Sequence, residues 1–411
     1  MSRGTYPEKN DLERFIAARY RTAWVWELLF FSSLLIAIIA LSALFLSVID
    51  DAFGYVAYEY KKDPATISAK PLEELNKEEL IAVLQAHLSK GAYGKLDNEK
   101  KMETRSEGEL YNLIIERIIQ IKTKETYTLY RSLFEREAIE AEVKEKFPNA
   151  KLEFRSWLNP VFLTTPQSSK AEFAGVRTAI LGSLWIVGIA ILLALPTGVG
   201  AAIYLQEYAN KRNAIAQIIQ TNINNLAGVP SIVYGMLGLA IFVRAWEPFT
   251  SGAMFGVLDT NGRTVLSAGL TMGVLVLPLM IINAQEAIKA VPDSIRQAAY
   301  GVGATRWQTI WHHVLPNALP GILTGSILSI SRAIGETAPL IIVGASTYIT
   351  IDPQSPFTKF TALPIQIYQW TARAQGEFHA IAAAAILVLL ALLLTLNATA
   401  ILLRNRFQRR W

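Results

Sequence analysis

Apolar and polar positions alternate in long blocks along this chain. From Leu28 to Ile49 no side chain is charged, and about 20 apolar residues suffice to cross the hydrocarbon of a bilayer. Further apolar runs fall at about 177–203, 216–243, 264–285, 318–345 and 379–403. The pattern predicts six transmembrane helices in an all-α polytopic membrane protein. Trp24 and Trp26 stand at the head of the first run, where an interfacial aromatic belt belongs. That run is too long for a signal-peptide core and lacks a small-residue cleavage site, so it reads as an uncleaved anchor over residues 24–49, after a short tail of residues 1–23.

Between the first two runs, residues 50–172 are polar and carry helical rather than membrane periodicity. Leu80, Leu84 and Leu88 recur at helical spacing, as do Leu110, Leu113, Ile114, Ile118 and Ile121. Pro71 with Glu73 and Glu74 marks a helix start, and Glu140–Lys144 and Glu142–Lys146 stand in the favourable i,i+4 order. This predicts a helical insert outside the membrane. No cluster of convergent polar residues marks a ligand site in it, so a solvated structural or docking role is expected, with ligand sensing as the alternative.

Charge adds orientation. Arg14, Arg19 and Arg21 precede the first run, and Lys211 and Arg212 follow the second. Lys289, Arg296 and Arg306 follow the fourth, and Arg404, Arg406, Arg409 and Arg410 follow the last. All fall on one side if both termini are cytoplasmic, which puts residues 50–172 outside. The net charge of +5 is thus accounted for by membrane topology, and no basic run interleaved with aromatics suggests nucleic acid. The chain has no cysteine, which excludes disulfides, thiolate metal sites and cysteine nucleophiles. Span two contains Gly198 and Ala202, and span three Gly228, Ser231 and Gly235, small residues that let helices approach closely. Pro196 and Pro230 predict bends, in core packing or in gating.

Residues 286–316 read EAIKAVPDSIRQAAYGVGATRWQTIWHHVLP. Two capping boxes, Ser294 with Gln297 and Thr305 with Gln308, flank Gly301 and Gly303, which suit positive φ. Pro316 is expected to end the second element. The stretch predicts two short helices joined by a glycine turn on the cytoplasmic face, with Ala298, Ala299 and Ala304 permitting close approach and Trp307 and Trp311 making an aromatic stripe. His312 and His313 read as contact or packing residues, with no metal cluster around them. The spacing resembles the EAA loop of ABC importer permeases. Gln297, Ala298 and Ala299 stand for Glu-Ala-Ala, and Gly303, Leu315 and Pro316 match in register. Gln297 for Glu and His313 for Ile are departures. The resemblance implies a coupling helix seated in a cleft of an ATPase subunit, with Gln297, Ala298, Ala299, Gly303, Thr305, Trp307, Leu315 and Pro316 as its residues.

Span five carries SRAIGETAPL, placing Arg332 and Glu336 four apart in an apolar helix. Charges at that depth face the bundle interior or a wet path. A permanent ion pair between helices is one reading, and an anion contact on a transport path the other. A planar guanidinium suits an oxyanion, and Glu336 would keep it from holding too tightly. Gly335 and Pro339 weaken the helix there, and Thr337 adds a hydroxyl. The segment RAIGETAPL, with LPTGVGAAIYLQEYA at 195–209 and NNLAGVPSIVYGMLG at 224–238, closely resembles the A-type permease of the phosphate-specific ABC transporter (PstA-type) over about residues 173–411. That implies the type I importer permease fold in a bacterial inner membrane. Its implied partners are a second, C-type permease (PstC-type), two ATP-binding subunits and an external phosphate-binding protein. Arg332, Glu336 and Thr337 become the expected substrate-path residues.

No P-loop, GxSxG or HExxH pattern occurs, so the chain is read as a transporter subunit without catalytic residues, cofactor or metal, its energy supplied by a partner. A permease for another oxyanion such as sulfate is the near alternative. A membrane sensor with an external domain is a further one, disfavoured because the chain runs only a short way past its last span. A stand-alone channel is the third.

Overall fold

The first apolar run lies within one long helix, α1 (Lys9–Ala52), whose side chains from Leu28 to Leu46 point almost entirely away from the rest of the chain. Only its last turns are covered, where Val48 and Ala52 join a core with the final helix. The computed structural model describes residues 9–407 apart from 69, 100, 211 and 258–260. Lys211, Arg409 and Arg410, used in the charge pattern above, lie outside the described residues.

The segment after α1 is not built of helices alone. Strands β1 (Phe53–Tyr60), β2 (Ile121–Thr126) and β3 (Lys151–Ser156) form an antiparallel sheet in the order β2-β1-β3. Val56 is the registered partner of both Thr126 and Glu153. Helices stand beside it: α2 (Lys77–His87), α4 (Glu107–Ile114) and α6 (Arg136–Lys146), as expected, and also α3 (Lys90–Glu99), α5 (Leu129–Phe134) and α7 (Pro160–Thr164). Leu80, Leu84, Leu110, Ile114 and Ile118 form a core shared by α2, α4 and the turn after α4, whereas Ile139 and Val143 of α6 pack with Ala57 of β1 and Tyr127. Ile121 does not continue that helical series. After a π-turn at Ile115–Ile119, Gln120 adopts φ 54° and turns the chain into β2. Helix α2 starts at an Asn76–Glu79 capping box, a turn beyond Pro71 and Glu74, because Asn76 offers the side-chain acceptor that proline lacks. Glu142 meets Lys146 at 2.6 Å as expected, but Glu140 pairs backwards with Arg136 at 2.9 Å rather than with Lys144.

The remaining chain is a helical bundle. Its elements in order are α8 (Arg177–Ile203), α9 (Ala214–Ala227), α10 (Ser231–Gly238), α11 (Glu247–Thr250), α12 (Val265–Lys289), α13 (Asp293–Gly301), α14 (Arg306–Thr309), α15 (Leu315–Gly335), α16 (Ala338–Val343), α17 (Leu363–Thr371) and α18 (Gly376–Phe407). Among the described residues five helices are long and apolar enough to cross a membrane, and the bent pair α9 with α10 makes a sixth candidate. That candidate is not straight. Its halves, residues 214–227 and 231–245, meet at 105°, since Pro230 has no N–H to continue α9 and instead opens α10. The fifth is likewise split, α15 stopping at Gly335 and α16 resuming at Ala338.

Helix α12 is the central post, buried along most of its length and packed against α8 and α15. Close approach is achieved through glycine, as expected of membrane helices. A Cβ at Gly198 would lie 2.8 Å from Met280 Cγ, and one at Gly235 only 2.7 Å from the backbone Cα of Pro339. Polar side chains tie the spans together. Asn283 Nδ2 donates to Gly325 O at 3.2 Å, Gln285 and Gln220 exchange amide bonds at 2.7 and 3.1 Å, and Ser331 Oγ donates to Asn397 Oδ1 at 2.7 Å.

The insert is fixed to one end of this bundle. Gln167 is buried and bridges to the loop before α17, donating to Thr347 O at 3.0 Å and accepting from Ile349 N at 3.1 Å. Asp352 of the same loop holds Arg177 at 2.9 Å and Thr178 at 2.7 Å, and Phe162 packs on Trp370.

Candidate functional site

Two places bring together the residues singled out from sequence. The first is the polar hairpin between α12 and α15. Helix α13 begins after Pro292 without a side-chain cap, so the Ser294–Gln297 box does not form. Asp293, one residue earlier, instead pairs with Arg296 at 3.2 Å. The second box is made as expected. Thr305 Oγ1 accepts from Gln308 N at 3.3 Å, and Gln308 Oε1 accepts from Thr305 N at 2.9 Å. Of the two glycines only Gly303 turns left-handed, with φ 83°, and its N–H donates to Tyr300 O at 2.9 Å. Gly301 remains the last residue of α13.

Pro316 does not end the second helix. The chain from Arg306 to Gly335 is a single helix that passes through a π-turn at Ile310–Val314. The wide turn makes room for a ring that would strike the carbonyl four residues earlier in a regular helix. The Asn317 amide donates to His313 O at 2.6 Å, so that carbonyl keeps a partner. Pro316 and Leu315 therefore join the hairpin to the membrane helix rather than separating the two.

The hairpin presents one face outward. Gln297, Ala298, Gly303, Thr305 and Trp307 are exposed, with Tyr300, Val302 and Trp311 beside them, while Ala299 is buried under the turn. Trp307 and Trp311 stack at 5.3 Å with their planes 17° apart. His312 Nδ1 lies 3.1 Å from Gln308 O and His313 is exposed, and no metal-ligating cluster occurs among the described residues.

What holds the hairpin down is a pair that sequence reasoning did not single out. Arg296 donates to Glu207, at the end of the π-turn that closes α8, through Nη2 at 2.7 Å and Nε at 3.1 Å. It also donates to Val291 O at 2.6 Å and Ile288 O at 3.0 Å. Their side chains are only 14% and 8% exposed. The guanidinium thus fastens three segments at one point. Glu207 belongs to the stretch 195–209 that carries the family resemblance and Arg296 directly precedes Gln297, but nothing in either neighbourhood links the two.

The second place is the break in span five. Arg332 Nε approaches Glu336 Oε1 at 3.4 Å, across the last turn of α15. Glu336 leaves helical geometry with ψ 125°, and Thr337, partly buried, opens α16 without capping it. Arg332 is 48% exposed and Glu336 20%. Leu328, Arg332 and Gly335 line up on the outward face of α15, and open space surrounds Gly335. The pair therefore does not tie two helices of this chain together. It bonds within one helix and turns its cation to the side.

The profile of the binding-protein-dependent transport system inner membrane component matches residues 194–411, which leaves the insert outside it. The probable ABC transporter permease protein YqgI of Bacillus subtilis is 32% identical over 230 residues, 54% of this chain and 74% of that one. Phosphate transport system permease protein PstA 1 of Mycobacterium tuberculosis strain H37Rv is 35% identical over 242 residues, 58% of this chain and 73% of that one. Phosphate transport system permease protein PstC of Pasteurella multocida is 30% identical over 218 residues, 50% of this chain and 67% of that one.

Proposed function

Because the chain belongs to the binding-protein-dependent transport system inner membrane components, the permease subunits of ABC importers, we propose that it is the A-type permease of an ATP-driven inorganic phosphate importer. In this reading both termini are cytoplasmic, and residues 50–172 stand outside the membrane as an insert ahead of a permease domain over 173–411. A second, PstC-type permease completes the translocation path, two ATP-binding subunits drive it, and an external phosphate-binding protein delivers the cargo. The chain itself is not an enzyme.

The exposed face around Gln297, Ala298, Gly303, Thr305 and Trp307 receives the ATPase. ATP binding closes the ATPase pair, pushes this face and turns the cavity outward, and hydrolysis resets it. Leu315 and Pro316 carry the displacement into span five.

The observation that carries the cargo reading is the lateral exposure of Arg332 at a helix break. Beyond its contact with Glu336, a guanidinium presented sideways by a membrane helix keeps N–H donors for a group outside the chain, and its planar fork matches phosphate oxygens. Glu336 limits the dwell of the anion, since transport requires release as well as binding. Thr337 adds a hydroxyl beside the break. The similarity to permeases named for phosphate transport supports the same cargo.

Labelled-phosphate uptake by the intact complex tests this. At normal expression and with the ATPase copurifying, Arg332→Gln should lower uptake by roughly ten- to a hundredfold, the worth of a charge-assisted contact. Wild-type uptake by that variant would remove Arg332 from the path. Suppression of uptake by sulfate as strongly as by unlabelled phosphate would move the cargo to another oxyanion.

A further inference from the structure

We propose that α5 is an interfacial membrane anchor that holds the insert down on the outer leaflet beside α1. The placement rests on α1 crossing the bilayer, as in the topology proposed above. The Tyr130 N–H donates to the carboxylate of Asp50 in the last turn of α1. Ser132 Oγ accepts from Tyr55 N at 2.8 Å and donates to Thr128 O at 2.6 Å, which pins the other side of α5 to β1. The apolar run of α1 stops at Ile49, and Asp50 and Asp51 follow. Helix α5 is therefore tied at the depth where the chain leaves hydrocarbon.

Its polarity is inverted for a helix facing water. Ser132 is buried, whereas Tyr130, Leu133 and Phe134 are 59%, 64% and 74% exposed. Spaced i, i+3 and i+4, they share one face, and the Tyr130 and Phe134 rings lie 5.0 Å apart. Past the partly covered Val48 and Ile49, Leu44, Phe45 and Leu46 of α1 also point outward. The patch therefore stands at the end of α1 nearest that outward apolar surface, held there by the Asp50 contact. A phenol beside apolar side chains suits the boundary of headgroups and acyl chains.

The flanking cations are already paired. Arg131 meets Glu135 at 3.1 Å and Glu142 at 3.2 Å, and Arg136 meets Glu140 at 2.9 Å. The anchor accordingly engages bilayer of any headgroup charge, rather than selecting anionic lipid.

The absence of native cysteine makes a direct test available. Single variants Phe134→Cys, Leu41→Cys and Glu145→Cys are spin-labelled in the complete transporter, reconstituted into phosphatidylcholine nanodiscs with and without phosphatidylglycerol. Collision with oxygen, which concentrates in hydrocarbon, is compared with collision with a water-soluble nickel chelate. The label at 134 should show an oxygen-to-nickel ratio several-fold above that at 145, unchanged by phosphatidylglycerol. A ratio equal to that at 145 would overturn the anchor by placing α5 in water. Low collision with both reagents would overturn it by placing a protein partner there, and a rise confined to anionic discs would overturn the charge-independent form. A water-like ratio at 41 would instead overturn the span assignment of α1.

Discussion

Replacing Glu207 by Gln keeps the volume of the side chain and removes its charge, leaving the Arg296 guanidinium in a site where it is 14% exposed. Breaking a buried ion pair from one side costs roughly 3–5 kcal/mol, because the remaining charge is left without compensation. Arg296 retains the exposed carboxylate of Asp293 at 3.2 Å and the carbonyls of Val291 and Ile288, and the new amide still offers one acceptor. The expected loss therefore sits at the low end, about 3 kcal/mol. If that energy holds the hairpin onto the ends of α8 and α12, local opening becomes roughly 150-fold more frequent, at about 1.36 kcal/mol per decade. Hydrogen exchange of the intact transporter, followed by mass spectrometry, reads this directly in amides 293–305, with the core of α12 as internal reference. A second variant separates charge from packing. Glu207→Leu combined with Arg296→Met removes both charges and should recover much of the lost protection. Unchanged exchange in Glu207→Gln, or a double variant no better protected than the single one, would refute a clamp based on the ion pair.

Three further outcomes follow from the geometry. Gly235→Ala places a Cβ 2.7 Å from Pro339 Cα and 3.1 Å from its carbonyl oxygen, backbone atoms that no rotamer change can move. The variant should lose about 1–3 kcal/mol and melt earlier in detergent, and an unchanged melting temperature would contradict that packing. Trp307→Ala or Trp311→Ala removes half of the exposed stacked pair. Retention of the ATPase on the purified permease should weaken roughly 30-fold, the scale of an interface hot spot, and equal retention would move the docking face elsewhere. The third outcome concerns pH. Hydrogen bonds from Lys146 and then Arg131 lower the Glu142 pKa, one from Lys101 lowers that of Asp97, and one from the Asn76 amide lowers that of Glu79. Carboxylates held low in the folded state stabilise it above their ordinary pKa, and that stabilisation disappears as pH falls through the lowered values. Exchange protection of α2 and α6 should thus be flat down to about pH 4 and decline below it, and a decline beginning near neutrality would contradict this.

The sequence made the membrane helices legible because a bilayer demands long apolar runs, and no tertiary contact overrides that demand. It also made legible the Thr305–Gln308 cap, the left-handed Gly303 and the Arg332–Glu336 pair, all set by neighbours within four residues. What failed were features decided at a distance. The insert sheet was hidden because β2, IKTKET, and β3, KLEFRS, are short and polar, and only pairing with β1 makes them strands. Ser294 resembled a cap but lost the position to the turn after Pro292, while Asp293 became the partner of Arg296. Pro316 was expected to stop a helix, yet the π-turn before it absorbed the ring. The Glu207–Arg296 clamp joins residues 89 positions apart, and neither carries a local pattern that announces the other.

The uninterrupted helix from Arg306 to Gly335 gives the molecule a mechanical ratio. At 1.5 Å per residue its 30 residues make a shaft of about 45 Å, with the stacked tryptophans near one end and Arg332 near the other. Swinging that shaft by about 5° around the tryptophan end carries Arg332 some 3 Å sideways, roughly the length of a hydrogen bond. A small rotation imposed at the tryptophan end is thus large enough at the far end to exchange one bonding partner for another.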